Sequence, residues 1–159
     1  MLWLANRPVS GPEGQVIGLD MTDAMLEKAH KNQALLGLAN AGFRRGEMEQ
    51  MPIADASIDV IISNCVINLS PDKDRVFGEA HRVLRPGGRL MVADLATVGE
   101  LPAELRSTES WTGCIGGAIP LDDYLGKLKA AGFADVQVVT SHEWQPLMLS
   151  VKIKAVKAQ

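Results

Sequence analysis

Residues 58–64, with the sequence IDVIISN, form a run in which apolar β-branched residues follow one another almost without interruption. A strand with one solvent-exposed face alternates apolar and polar residues, whereas this run is typical of a strand buried on both faces. Residues 89–95 repeat the pattern, and residues 15–20 give a shorter apolar strand ahead of both. Strands of this kind predict a parallel sheet that is covered by helices.

Helical patterns separate these strands. The first begins at Thr22, a residue type that caps helices, and has Gly42 beyond its end, while the last ends at Gly132. The three predicted helices cover residues 22–40, 70–85 and 121–131. Residues 134–141 and 147–156 alternate in polarity and predict a pair of antiparallel edge strands. The order of these elements predicts an α/β fold with a mostly parallel sheet, helices on both faces, and antiparallel C-terminal strands.

The size and composition of the chain are those of a single globular domain over residues 1–159. The hydrophobic share is 47%, the charged share is 22% and the net charge is −3, with no cluster of lysine and arginine. This balance gives no electrostatic reason to expect nucleic acid or an acidic membrane as a partner, and it leaves a small-molecule substrate as the expectation. Residues 101–120 are irregular and rich in small residues, which predicts a lid or substrate loop inside the domain.

The expected location is the cytoplasm. No apolar run reaches the roughly 20 residues that a membrane span needs, and no positive residues precede the short apolar patch at the start of the chain, so a signal peptide is not predicted. The two cysteines, Cys65 and Cys114, could form at most one disulfide. Without an export signal, two reduced thiols in the cytosol are the favoured interpretation.

Several candidate ligand-binding residues follow the predicted strands, and ligands of such sheets bind at the carboxyl ends of the strands. Asp20 could accept both hydroxyls of a ribose, and Met21 could lie against an adenine ring. An equally good interpretation is that Asp20 only starts the turn before a helix, where the helix dipole favours an acid. Asn64 and Cys65 end the strand of residues 58–64 together, and a buried cysteine with no ligand is the alternative there.

A second set of candidates follows the strand predicted at residues 43–46, in the sequence EMEQMP. Met48 and Glu49 could face an adenine, with the Glu49 carboxylate meeting the adenine amino group. A solvated loop acid is the ordinary alternative for Glu49.

Several motifs in order resemble the class I S-adenosylmethionine-dependent methyltransferases, which have a Rossmann-like fold. They are the sequences VIGLDMTDAMLEKA, GEMEQMPIADASIDVIISN and EAHRVLRPGGRLMVADL. Within that superfamily, VIGLDMTDAML, SNCVINLSPDKDRVF and GCIGGA resemble the arsenite methyltransferases, and this resemblance covers the chain from about Gly11 to Phe133.

The resemblance implies an S-adenosylmethionine cofactor held by Asp20, Met21, Met48, Glu49 and Asn64. It also implies trivalent arsenic as the substrate, held by Cys65, Cys114 and a further cysteine from the N-terminal part of the protein. Soft thiolates suit thiophilic arsenic. Since the arsenic lone pair would itself attack the methyl group, no general base is required.

One family motif is not found. Members of the family carry an E/D-x-G-x-G-x-G loop after their first strand, and residues 1–14, MLWLANRPVSGPEG, do not reproduce it. The sequence MLWLA aligns instead with the end of the first helix, so the chain is expected to be truncated and to lack the first strand. In the family sheet order 3-2-1-4-5-7-6, this leaves a gap between the strands that end at Asp20 and Asn64. A homodimer that covers the gap is therefore expected.

Three functions remain open on the sequence. The first is an arsenite-type methyltransferase whose binding site is completed by a partner or by rearrangement. The second is a non-catalytic remnant that binds arsenic or a small ligand. The third is a methyltransferase-like domain for an organic substrate, in which both cysteines are structural.

Overall fold

The described residues, 1–6, 14–100 and 115–159, form a mixed sheet of seven strands in the computed structural model. The strands are β1 (Leu2–Asn6), β2 (Gln15–Asp20), β3 (Ala41–Arg45), β4 (Ile58–Asn64), β5 (Leu84–Thr97), β6 (Phe133–Gln145) and β7 (Met148–Lys157). The helices are α1 (Asp23–Leu36), α2 (Lys73–Val83) and α3 (Leu121–Ala130), and a short 3₁₀ helix covers Ile67–Leu69. The sheet order is β3-β2-β1-β4-β5-β7-β6.

The position between β2 and β4 is occupied by β1, which runs antiparallel to both of them. Two expectations for this region are therefore wrong: residues 2–6 form a strand rather than the end of a helix, and no gap separates β2 from β4. Leu2 and Leu4 are fully buried on one face of the sheet. Unpaired backbone groups in the middle of a sheet are costly, so an apolar segment that can reach this position gains both hydrogen bonds and burial there.

The remaining pairings follow the predicted fold class. The pairs β2–β3 and β4–β5 are parallel, and β5, β7 and β6 pair antiparallel in that order. The bounds predicted for β2 and β4 agree with the structure. The bounds of β5 do not, because β5 begins at Leu84 and includes the RPGG sequence that was expected to precede it. Of the two C-terminal strands, only β6 is an edge strand, since β7 lies between β5 and β6.

Helices lie on both faces of the sheet, as predicted, but they cover the faces unequally. The main core packs one face against α2 and α3, which contribute the fully buried side chains of Phe77 and Tyr124. On the other face, α1 contacts β3 through His30 and Phe43, and none of its side chains is fully buried. No helix in the described ranges is long and apolar enough to cross a membrane.

The first helix is shorter than predicted. It ends at Leu36, where Gly37 adopts a left-handed φ of 63°. The chain therefore leaves the helix five residues before Gly42, the glycine that was predicted to follow its end. Glycine can adopt this conformation at a helix end without a steric penalty because it has no Cβ atom. A residue with a side chain, such as Leu38 or Ala39, would be strained in the same conformation. Gln33 of the helix then donates to the carbonyl groups that lead into β3.

Candidate functional site

Two of the predicted ligand-binding residues lie at the same edge of the sheet. Asp20 ends β2 and Asn64 ends β4, and both strands present their carboxyl ends to this edge. The first residues of β1 lie between them, because Leu2 pairs with Leu19 and Trp3 pairs with Ile62. Since two strand spacings separate β2 from β4, the two strand ends are about 10 Å apart, which is within the span of one nucleoside.

The Asp20 carboxylate is largely buried and fully engaged. Its Oδ1 accepts hydrogen bonds from the Thr22 amide at 3.0 Å and the Thr22 hydroxyl at 2.8 Å, and its Oδ2 lies 3.2 Å from the Met1 amino nitrogen. Burial by itself would raise the Asp20 pKa, but these donors outweigh it and lower that pKa. Asp20 is therefore an ionised acceptor at the sheet edge.

The adenine candidates differ in their surroundings. Met21 is 62% exposed beside Asp20, so its side chain is available to a ligand. Met48 is half-buried and packs against the main core. Glu49 accepts a hydrogen bond from the Ser70 hydroxyl, which ties the loop after β3 to the loop after β4. One carboxylate oxygen of Glu49 thus has a protein partner, and the side chain is not the solvated loop acid of the alternative interpretation.

The half-buried Cys65 directly follows β4 in a strained turn. Its φ of 54° lies in the left-handed region, which is uncommon for residues other than glycine, asparagine and aspartate. Its amide donates to the Ala93 carbonyl of β5 at 2.8 Å, which fixes the start of the turn. Backbone strain of this kind clusters at functional sites. Cys114 lies outside the described residues, as does most of the lid or substrate loop predicted at residues 101–120.

A turn formed by residues 115–119 packs against the residues that follow Cys65. A Cβ atom on Gly117 would lie 1.8 Å from the Asn68 carbonyl oxygen, so only glycine fits at this point. Asn68 is itself fully buried, and its side-chain amide donates to the Leu95 carbonyl of β5 at 2.7 Å. The segment after Cys65 is thus held from two sides, by β5 and by Gly117.

Sequence reasoning missed the residues that hold the loop after β3. Arg82 of α2 donates to the Met51 and Ile53 carbonyls at 3.0 and 2.9 Å and pairs with Asp55 at 2.5 Å. Glu79 accepts from the Met51 amide at 2.7 Å and from Arg82 at 2.7 Å, and the Arg82 guanidinium lowers the Glu79 pKa. The spacing of the two residues, three apart on one helix, is the signal that could have indicated an ion pair. It could not have indicated the loop that the pair holds.

The residues fit the adenosine part of the cofactor that the resemblance implies. An ionised acceptor, Asp20, an exposed side chain, Met21, and the strand end at Asn64 share one edge of the sheet. Within the described ranges, no group of three or more histidine, cysteine or acidic side chains could hold a metal ion. This edge therefore combines polar groups that could bind a nucleoside with the thiol of Cys65 beside them.

Comparisons with known proteins identify the family of the chain. The family profile described as "Methyltransferase domain" matches residues 2–150. The arsenite methyltransferase of Halobacterium salinarum is 45% identical over 134 residues, which are 84% of this chain and 34% of that protein. The human arsenite methyltransferase is 37% identical over 142 residues, which are 83% of this chain and 38% of that protein.

A solved structure shows the same relationship. The arsenic(III) S-adenosylmethionine methyltransferase of Chlamydomonas reinhardtii superposes with a TM-score of 0.78 at 34% identity, over 89% of this chain and 55% of that one. The chain spans about 34% to 42% of the length of the first curated relatives it matches. The chain belongs to the class I S-adenosylmethionine-dependent methyltransferases, as a relative of the arsenite methyltransferases.

Proposed function

We propose that the protein is an arsenite methyltransferase-like protein that takes part in S-adenosylmethionine-dependent methyl transfer to trivalent arsenic. The observation that carries the proposal is a thiol, Cys65, at the end of β4, in a strained turn beside the edge that presents Asp20 and Asn64. This arrangement places a soft ligand for arsenic next to a nucleoside site. The identity of 45% to an arsenite methyltransferase supports the choice of arsenic over an organic acceptor.

In this proposal Asp20 would hold the ribose, Met21, Met48 and Glu49 would lie against the adenine, and Asn64 would close the same pocket. Cys65 and Cys114 would hold arsenic as thiolates. The bound cofactor supplies an electrophilic methyl group on a sulfonium sulfur. The arsenic lone pair would form the new arsenic–carbon bond as the carbon–sulfur bond breaks, with its electron pair left on sulfur. Arsenic would thereby be formally oxidised from trivalent to pentavalent, and no proton would have to be removed.

The arsenite proposal predicts that the two thiols act together. Replacing Cys65 or Cys114 by serine should reduce arsenite binding by the purified chain to an undetectable level, because a hydroxyl is a poor ligand for a soft centre. Arsenite titration followed by the loss of reactive thiols measures the effect. Methyl transfer is then measured with S-adenosylmethionine and arsenite on the wild type and both variants. Unchanged arsenite affinity in both variants would exclude the thiols as ligands.

A second candidate function is ligand binding without methyl transfer. It is favoured by β1, which runs antiparallel and places its first residues between the ends of β2 and β4, at the edge where a ribose would bind. The two candidates share the thiols and the sheet edge, but they differ in turnover. Arsenite binding without methylarsenic product, under conditions where S-adenosylmethionine binds, would favour the second candidate.

The cofactor part of the proposal predicts a role for the Asp20 charge. Replacing Asp20 by asparagine should weaken S-adenosylhomocysteine binding roughly 10- to 100-fold, since a hydrogen bond to a charged acceptor contributes about 1.5–3 kcal/mol. Titration calorimetry measures the affinity. The matched control is Asp23→Asn, because Asp23 is an exposed acid at the start of α1 whose partner, Arg45, is 3.5 Å away. Equal affinities of the two variants would remove Asp20 from the cofactor site.

The proposal also includes a cytoplasmic location and association into a homodimer. With β1 between β2 and β4, the gap that motivated the homodimer is closed within one chain. The remaining support is the exposed apolar side chains of Trp3 and Ile62 on the sheet face that α1 leaves partly uncovered. Light scattering of the purified chain measures the oligomeric state, and a monomer would remove the homodimer from the proposal.

A further inference from the structure

A buried cluster of polar side chains lies beneath the turn that contains Cys65. Asp94 of β5 is 2% exposed, Tyr124 of α3 is fully buried, and Lys73 at the start of α2 is almost fully buried. Among the described residues, neither Asp94 Oδ2 nor the Tyr124 hydroxyl completes a hydrogen bond of good geometry, although the hydroxyl lies close enough to Asp94 to interact with it. Burying such groups is costly, so the cluster calls for an explanation beyond packing.

Asp94 is linked to the turn through Asn68. The Asn68 backbone amide lies close enough to the Asp94 carboxylate to lower its pKa, and Asp94 Oδ1 accepts a hydrogen bond from the Leu95 amide at 3.0 Å. The Asn68 side chain returns a hydrogen bond to the Leu95 carbonyl at 2.7 Å. Asn68 is therefore bound through its side chain to the residue that follows Asp94, and its backbone amide lies beside the Asp94 carboxylate.

The other end of the same turn is bound to the residue before Asp94. The Cys65 amide donates to the Ala93 carbonyl at 2.8 Å, and Cys65 adopts its left-handed φ of 54° directly after that hydrogen bond. Ala93 and Leu95, which flank Asp94 in β5, thus hold the two ends of the turn from Cys65 to Asn68. Such a strained conformation persists only where the surrounding structure enforces it.

We propose that Asp94 is a positioning residue for Cys65, acting through Asn68 to hold the turn that presents the thiol. The inference does not require arsenite to be the substrate, because what it concerns is the geometry and accessibility of the thiol. It therefore stands or falls separately from the proposed function.

The surroundings of Asp94 make the strength with which β5 holds the Cys65 turn dependent on pH. Burial raises the pKa of Asp94 to about 7, although the Leu95 amide, the Lys73 charge, the Asn68 amide and the Tyr124 hydroxyl all act to lower it. Lys73 in turn donates to the Ser70 carbonyl at 3.2 Å, and burial and the nearby Lys127 lower the Lys73 pKa. From β4, Ser63 adds an uncharged hydroxyl to this face of the sheet. The described ionisable groups that act on Asp94 are thus Lys73 and Tyr124.

The direction of the effect follows from hydrogen-bond strength. An ionised Asp94 carboxylate accepts from the Leu95 amide in a charge-assisted hydrogen bond, which is about twice as strong as a neutral one, and it also attracts the nearby Asn68 amide. Above pH about 7 the turn is therefore held tightly, and below it the turn is held more weakly. A half-buried thiol reacts with a reagent more readily when the turn around it opens more often.

The test is the rate of Cys65 modification by iodoacetamide in the full chain, with the modified peptide resolved by mass spectrometry. The rate is measured from about pH 5 to about pH 9, a range that brackets both carboxyl and thiol ionisation, and is expressed per thiolate. In the wild type this rate should fall by about threefold or more as the pH rises through the Asp94 ionisation, because the charge-assisted hydrogen bond is the stronger one. In Asp94→Asn it should stay at the higher value, without that inflection.

A second variant tests the direction and does not depend on the folding of the first. Tyr124→Phe keeps the ring that packs on Phe77 but removes the hydroxyl that lowers the Asp94 pKa, so the inflection should move to higher pH. The control is Asp135→Asn, which removes an exposed carboxylate from β6 and should leave the wild-type profile unchanged.

Two results would overturn the inference. One is a wild-type inflection that persists in a folded Asp94→Asn variant. The other is an inflection in Tyr124→Phe that does not move, because a merely structural role for the cluster would change stability without shifting the pH profile of the thiol.

Discussion

Replacing Arg82 by alanine should destabilise the protein by roughly 2–3 kcal/mol and abolish measurable S-adenosylhomocysteine binding, because hydrogen bonds to charged groups are costly to break. Arg82 is 32% exposed and donates to two carbonyl groups and two carboxylates, so solvent screens only part of this network. Its loss leaves Glu79 with no described cation and frees the loop that carries Met48 and Glu49. Urea unfolding followed by circular dichroism measures the stability.

Two further variants make this expectation specific. Arg85→Ala removes a neighbouring arginine that is 43% exposed and lies 3.3 Å from Asp59, and exposed pairs of this kind contribute up to about 1 kcal/mol. Arg82→Lys keeps the positive charge but not the planar set of donors, so it should recover less than half of the stability that Arg82→Ala loses. If Arg82→Ala and Arg85→Ala cost the same, or if Arg82→Lys restores full stability, the loop is not held in the way we describe.

The two strands whose bounds were predicted correctly, β2 and β4, owe this to local composition. Each is a short apolar run between polar turns, and burial in the sheet is what such a run requires wherever it lies in the chain. Residues 2–6, LWLAN, are also mostly apolar, but a run this short at the start of the sequence suits the end of a helix as well as a strand. Their structure is decided by the position between β2 and β4, which offers hydrogen bonds on both sides.

The residues of the candidate site likewise fall into those that could be predicted from the sequence and those that could not. Asp20 and Asn64 could be predicted because they end strands, and the carboxyl ends of parallel strands meet at one edge. The positioning of the Cys65 turn by β5 could not be predicted, since Asp94 lies 29 positions further along the chain and its effect depends on burial beside Lys73 and Tyr124. Nor could sequence reasoning see that Gly117, in a stretch expected to be irregular, contacts the backbone of Asn68.

Replacing Gly117 by alanine should destabilise the protein by roughly 2–3 kcal/mol, because inserting a methyl group into a closely packed contact forces the backbone to move. The new Cβ would lie 1.8 Å from the Asn68 carbonyl oxygen and 2.9 Å from its carbon. These are backbone atoms, which cannot rotate away as the end of a flexible side chain could. Displacing Asn68 also disturbs the Cys65 turn, so modification of Cys65 by iodoacetamide should become faster.

The matched control for this substitution has the opposite expected sign. Gly126 lies on the exposed side of α3 and has no atom within 4 Å of an added Cβ, so Gly126→Ala should stabilise the protein by about 0.5–1 kcal/mol. Urea unfolding of both variants separates the effect of the contact from the general effect of adding a methyl group to a glycine. Equal changes in the free energy of unfolding would mean that Asn68 yields without cost. In that case Gly117 could not be one of the two contacts that fix the Cys65 turn, and β5 alone would hold it.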